Sequence, residues 1–383
     1  MTIINKISLY LHVPFCVCKC RYCDFLSFAC PNDSILNEYT RALIQEIRLR
    51  SEPYHFKQVD TVYIGGGTPS LLSPSDIGNL MTAVDEYFNL STDPEITIEA
   101  NPGSLTEEKL DAYLNNGINR LSIGVQSFDN NILNILGRAH NKNDAIDAVR
   151  TAKKAGFDNI NLDLMFGIPA QTMKSWKDSV QACIFTKPEH VSLYSLEVAE
   201  GTPMYKMIYE DKILELLPEQ TDREMYHEAL RMLNDAGYRQ YEISNCALPG
   251  HESRHNLKYW SYDEYLGLGP GASSFIGGDR LRNYSKMSEY LKAVKEYRPP
   301  VDEEQSFTYS KREEMGIFTF TALRTNAGLN FRRFKEVFGT DFYRVYPREK
   351  VLKYKGLLVE ESDGIHLTER GMDTSNVIMA EFV

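Results

Sequence analysis

Between Ile7 and about Glu197 the chain repeats one pattern: a short run rich in Ile, Val, Leu and Tyr, then a longer stretch with apolar residues at helical spacing. The runs are Ser8–Val13, Val59–Gly65, Glu95–Asn101, Arg120–Val125, Asn159–Phe166 and His190–Leu196. Several are apolar almost throughout, as strands covered on both faces of a parallel sheet must be. One helical stretch opens near Thr106, places Glu107 and Glu108 in its first turn, presents Leu110 and Leu114, and stops at Gly117. A capping hydroxyl, acidic charge at the positive end and a terminal glycine predict a helix there. A second runs from Asp144 to Ala155, with Ala145, Ile146, Val149 and Ala152 at helical spacing and Gly156 as its stop. A third, Thr221–Ala236, aligns Met225, Ala229, Met232, Leu233 and Ala236 before Gly237. Six strand–helix units in series predict parallel strands with right-handed crossovers. That is short of the eight of a closed barrel. The predicted fold class is therefore α/β, a partial (β/α)6 TIM-type barrel over residues 1–240, although periodicity alone equally allows an open doubly wound sheet.

The pattern then changes. Glu242–Asn283 is rich in glycine and aromatics, and residues 241–299 predict a connector. After Arg298-Pro299-Pro300 comes a helix-rich tail, in which Gly356–Val359 and Ile365–Thr368 flank Ser362-Asp363-Gly364 as a small hairpin. Residues 300–383 thus predict a small, winged-helix-like domain.

Composition narrows the function classes. Hydrophobic content of 43% and charged content of 25% are ordinary for a soluble globular protein. The longest apolar runs reach only strand length, too short to span a bilayer. The opening MTIINKISLYLHV has a single Lys and no small-residue cleavage site, so the expected location is cytoplasmic. A net charge of −11 argues against a nucleic-acid partner. Of seven cysteines, Cys16, Cys18, Cys20, Cys23 and Cys30 fall within fifteen residues. Such a set reads as metal binding, not as a disulfide framework. The isolated Cys183 and Cys246 are expected to be buried small hydrophobes.

Cys16, Cys20 and Cys23 form C-x3-C-x2-C directly after the first strand. Thiolates suit iron–sulfur clusters and zinc. Three ligands on a cubane would leave one iron open to a small molecule. The spacing alone also allows zinc, with Cys18 or Cys30 as fourth ligand. Gly65-Gly66-Gly67-Thr68 follows the second strand, where glycines permit either close approach to a ligand or a tight turn. Glu99, Gln126 and Asp163 lie near the ends of the next strands, where barrel enzymes keep their sites. Each alone could equally be a satisfied polar residue at a sheet edge. His255-Asn256-Leu257-Lys258-Tyr259-Trp260 pairs an imidazole, a good axial ligand for heme iron, with aromatic surface able to stack on a porphyrin. Composition alone favours the plainer reading, a bonded loop histidine beside core aromatics.

The segment from Tyr10-Leu11-His12-Val13-Pro14-Phe15-Cys16 to Cys23-Asp24-Phe25 closely resembles the start of radical-SAM proteins of the coproporphyrinogen III oxidase-like group. The resemblance continues through almost the whole chain. It implies that Cys16, Cys20 and Cys23 hold a [4Fe–4S] cluster whose fourth iron is chelated by S-adenosylmethionine. It further implies that Tyr10, Gly67, Thr68, Glu99, Gln126, Arg138 (in Leu136-Gly137-Arg138-Ala139-His140) and Asp163 line the S-adenosylmethionine site. Tyr22 would pack near the adenine, Gly269–Ser274 would approach the same ligand, and His12 would lie near the cluster. Two branches differ two residues after the third motif cysteine. The oxidases carry another cysteine there; the heme-chaperone branch typically has Phe, as Phe25 here, and carries His-Asn-x-x-Tyr-Trp. The implied function is a heme chaperone that binds heme, with His255 as candidate axial ligand. It would pass heme to an acceptor protein of a respiratory chain, draw on an electron donor, and touch a membrane only through a partner. The alternative is an oxygen-independent coproporphyrinogen III oxidase, decarboxylating two propionates to give protoporphyrinogen IX, and enzymatic activity is left open. A third reading is a zinc-stabilised α/β protein. Cys18 and Cys30 match no family position, and His55, His227, His251 and His366 are expected at the surface.

Overall fold

In the computed structural model, which describes residues 6–29 and 32–383, each apolar run becomes a strand. Lys6–Val13 is β1, and the loop after it holds a short pair, Phe15–Cys16 (β2) and Phe28–Ala29 (β3). Gln58–Gly66 (β4), Asn89–Ala100 (β5), Arg120–Gln126 (β6), Ile160–Phe166 (β7) and His190–Ser195 (β8) follow. They lie side by side in the order β1-β4-β5-β6-β7-β8, every neighbouring pair parallel. Helices Asp33–Ser51, Pro74–Tyr87, Glu107–Asn115, Lys142–Ala155 and Met173–Thr186 make the crossovers. This is the barrel-type α/β arrangement that the repeat predicts, with parallel strands whose C-terminal ends all face one way.

The local chemistry explains the boundaries. Thr106 accepts the backbone N–H of Lys109, and Asn141 accepts those of Asn143 and Asp144, so both helices begin on side-chain caps. The second ends at Gly156, whose φ of 113° suits glycine alone.

Residues expected to form a connector extend this sheet at both edges. Arg239–Glu242 (β9) and Asn245–Ala247 (β10) add antiparallel strands beyond β8. Tyr265–Leu268 (β11) pairs parallel with β1 at the opposite edge. Ser273–Ile276 (β12), Asp279–Arg282 (β13) and Phe307–Thr308 (β14) continue from it antiparallel, giving twelve strands. Strands of four residues or fewer are too short for alternation to register in the sequence. Between β10 and β11 the chain crosses the molecule through the helix Arg254–Trp260.

Apolar burial falls into two principal clusters. One runs from Ile7 to Val294 and fills the space between sheet and helices. The other, from Met315 to Phe382, surrounds the helix Lys311–Ala322 and a small sheet of Leu329–Asn330 (β15), Leu358–Glu360 (β16) and Gly364–Leu367 (β17), with β17 central. Ile243 and Tyr262 pack against this second core. Among the described residues no helix is long and apolar enough to cross a membrane.

Candidate functional site

The cysteine loop leaves β1 and lies against the C-terminal end of β4. Gly67 donates its N–H to Val13 O at 2.8 Å, and a Cβ on Gly67 would sit 2.5 Å from Phe15 O. Only glycine lets β2 approach so closely. A chain of donors then links two of the sulfurs. Thr68 donates to Cys16 Sγ at 3.7 Å and accepts from Asn101 Nδ2 at 2.9 Å. Arg138 donates to Asn101 Oδ1, to Gly124 O at 2.6 Å and to Cys20 Sγ at 3.2 Å. Sequence reasoning placed Thr68 and Arg138 here but passed over Asn101, which joins them.

Burial pushes the Cys16 and Cys23 thiols up, and each of the two is raised further by Cys20 nearby. Soft sulfur donors on one short loop, two of them costly to ionise unless a cation offsets the charge, fit a cationic iron–sulfur group. Among the described residues no three His, Cys, Asp or Glu side chains are drawn together as a single metal ion requires. Cys18 is exposed and Cys30 lies outside the described residues, whereas Cys183 and Cys246 are buried, as expected.

The remaining predicted residues gather at the same strand ends. Tyr10 donates to His12 Nδ1 at 2.9 Å, while His12 Nε2 donates to Leu26 O at 3.1 Å, which fixes the imidazole in its neutral Nε2–H form. Glu99 accepts from Gly66 N at 2.9 Å and Tyr63 OH at 2.8 Å, yet burial raises its carboxyl to about 7. Asp163 accepts from Asn161 Nδ2 at 2.8 Å and is also raised by burial. Gln126 has a φ of 64°, a costly left-handed conformation for a side-chain-bearing residue. Its Oε1 is buried and, among the described residues, has no hydrogen-bond partner. Tyr22 packs beside Ile132 and Leu136, next to Arg138.

Beside these residues opens a cavity of about 680 Å³, inside the size range of small-molecule sites. Tyr10 and Glu99 wall it on the barrel side, Phe25 at the loop, and Tyr259, Trp260 and Tyr265 along one flank. Ile317 and Thr321 of the helix Lys311–Ala322 also line it. Gly271 and Ser273, within the expected Gly269–Ser274 stretch, also line it. Phe25 is 64% exposed.

His255 is not placed as expected. It is 1% exposed and does not line the cavity. Its Nδ1 lies 2.9 Å from Thr61 Oγ1 and its Nε2 2.9 Å from the Tyr259 hydroxyl, so both ring nitrogens are engaged. The backbone N–H groups of Arg254 and His255 donate to the Glu95 carboxylate at 2.9 and 2.8 Å, and Ser253 caps the same helix. Burial lowers the imidazole to about 3, so it is neutral. The axial-ligand expectation is therefore corrected: one helical turn separates a histidine sealed against β4 and β5 from the tyrosine and tryptophan that reach the cavity.

Comparison with known proteins agrees with this architecture. The radical SAM superfamily model matches residues 10–183, and the HemN C-terminal domain model matches residues 309–373. "Heme chaperone HemW" of Lactococcus lactis is 36% identical over 98% of this chain and 97% of its own length. That of Bacillus subtilis is 36% identical over 98% of this chain and 99% of its own. Coproporphyrinogen III oxidase (HemN) of Escherichia coli superposes with a TM-score of 0.86 over 99% of this chain and 90% of that one, at 24% identity, a likeness of fold. On its nearly full-length similarity to these chaperones and the radical SAM match over its barrel, the chain belongs to the HemW heme-chaperone family of radical SAM proteins.

Proposed function

We propose that this chain binds heme in the cavity beside its cysteine loop and passes it to an acceptor protein. The observation that carries the reading is the aromatic flank. Tyr259 and Tyr265 meet edge to face with ring centroids 4.6 Å apart, and Trp260 lines the same cavity. Such faces suit a flat macrocycle. Phe25 favours this reading over the oxidase: the rim position where that branch carries a fourth cysteine holds an exposed phenyl ring.

Radical SAM membership implies a [4Fe–4S] cluster and S-adenosylmethionine. Cys16, Cys20 and Cys23 would hold the cluster, which with S-adenosylmethionine supplies one-electron chemistry when bound. Thr68 and Arg138 donate toward the sulfurs and stabilise their negative charge. Tyr10, Tyr22, Gly67, Glu99, Gln126 and Asp163 surround the space that S-adenosylmethionine would take. Glu99, whose carboxyl burial raises, can accept from an ammonium group there. An electron donor and a heme acceptor of a respiratory chain complete the proposal, with any membrane contact made by that acceptor.

The test is hemin titration of the purified chain, followed by absorbance and by transfer to an apo-cytochrome. Saturation near one heme per chain, with transfer, is expected. Non-saturable binding would overturn the reading. So would robust protoporphyrinogen formation in an anaerobic assay with reductant, S-adenosylmethionine and coproporphyrinogen III.

A further inference from the structure

The cavity carries charge that neither the cluster site nor the aromatic flank uses. Arg280 and Arg282 stand two residues apart on β13, so both side chains leave the same face of the strand, with Cα atoms roughly 7 Å apart. Both line the cavity. Arg280 is half-buried, sits over the Tyr265 ring at 5.7 Å and donates to that hydroxyl. Neither guanidinium has a carboxylate partner among the described residues. Three acidic residues also line the cavity, and none forms an ion pair with either arginine: Asp24 lies in the cysteine loop, Asp263 pairs with Lys258 at 3.7 Å and with Arg333 at 3.4 Å, and Glu99 is held by Tyr63 and Gly66 at the barrel end.

We propose that Arg280 and Arg282 recognise the carboxylate edge of a tetrapyrrole, and so set which way round it enters. The inference rests on the heme reading of this cavity. A ligand with an apolar face, an apolar edge and two carboxylates on the opposite edge matches an aromatic flank that ends in two guanidiniums without carboxylate partners. The carboxylate edge lies at the β12–β13 hairpin, and the apolar edge points toward Tyr10 and the cysteine loop. Selection acts on the carboxylates and not on the metal. Metal-free protoporphyrin IX is therefore a ligand as well, and a porphyrin with esterified propionates is a poor one.

The experiment measures quenching of Tyr and Trp fluorescence in the full chain by hemin, protoporphyrin IX and protoporphyrin IX dimethyl ester. The wild type should prefer the diacid to the ester by at least about tenfold, as for charge-assisted bonds to a half-buried arginine. Arg280→Gln with Arg282→Gln should bind acid and ester alike. Arg280→Lys with Arg282→Lys, which keeps both charges, should retain most of the preference, and circular dichroism confirms that each variant is folded. A diacid preference that survives the double Gln substitution in folded protein overturns this inference while leaving heme binding intact. Equal affinity of the wild type for acid and ester also overturns it. If the wild type binds no porphyrin at all, the heme reading itself falls.

Discussion

Replacing His255 by Phe separates two roles that the sequence alone leaves entangled. Phe keeps a ring of similar size, so the packing term is small. It removes both hydrogen bonds and strands Thr61 Oγ1 and the Tyr259 hydroxyl, each 2.9 Å from the imidazole. Unpaired buried groups cost about 1–3 kcal/mol each, so a loss of about 3 kcal/mol is expected at pH 7.5. The pH dependence is more diagnostic. The folded imidazole titrates at about 3, well below the ordinary value of 6.5. As pH falls below 6.5 the unfolded chain takes up the proton first, so the wild type loses about 1.4 kcal/mol per pH unit from this group down to about pH 3. At pH 5 that amounts to about 2 kcal/mol, a loss the Phe variant does not share. The gap between wild type and variant should narrow from about 3 to about 1 kcal/mol, while His140 and His190, common to both, cancel. Urea unfolding of the heme-free chains at pH 7.5 and pH 5, followed by far-ultraviolet circular dichroism, reads the gap directly. A variant as stable as wild type at pH 7.5, or a gap that ignores pH, would refute the buried-neutral assignment. So would a fully folded variant whose heme spectrum alone is altered, because that is the signature of a ligand.

Other consequences are as direct. Gly67→Ala would place a methyl 2.5 Å from Phe15 O, so iron and sulfide per chain should fall after anaerobic preparation while circular dichroism is unchanged; full cluster occupancy would show that the loop tolerates the displacement. Arg138→Gln removes the 3.2 Å donor to Cys20 Sγ, so the cluster potential in an electron-paramagnetic-resonance titration should become more negative; an unchanged potential would exclude that contact from tuning. Phe25→Ala alters a side chain that is 64% exposed, so stability should move by no more than about 0.5 kcal/mol while hemin affinity falls severalfold; an unaltered titration would remove Phe25 from the cavity's function. Alanine at Cys16, Cys20 and Cys23 together should abolish the iron–sulfur absorbance yet spare hemin binding, since the aromatic flank comes from other elements.

The barrel was legible because its strands are long and apolar and its helices carry explicit punctuation: Thr106 and Gly117 bound one helix, Asn141 and Gly156 another. The cysteine triad and the polar residues at strand ends were legible through their motifs. His255 was not. Its role depends on Glu95, 160 residues away, which accepts the N–H groups at the start of that helix. A helix of seven residues is too short for apolar spacing to state which way its histidine faces. Arg280 and Arg282 were missed for a related reason. Their strand has four residues, and only the Gly277-Gly278 turn before Asp279-Arg280-Leu281-Arg282 hints that alternate positions share a face. Asn101 sat inside a recognised motif, but its bond to Arg138 becomes visible only once the end of β5 lies beside the turn that follows the helix Asn130–Leu136.

The crossing between β10 and β11 has a mechanical consequence. The chain leaves the sheet beyond β8 and rejoins it beside β1, so the protein closes on itself like a belt whose buckle is the helix Arg254–Trp260. A protease nick in the exposed turn near Gly250 would leave fragments ending and beginning at opposite margins of one hydrogen-bonded sheet. Neither piece could diffuse away without tearing strand pairs, and the nicked molecule should travel as one body until denaturant is added.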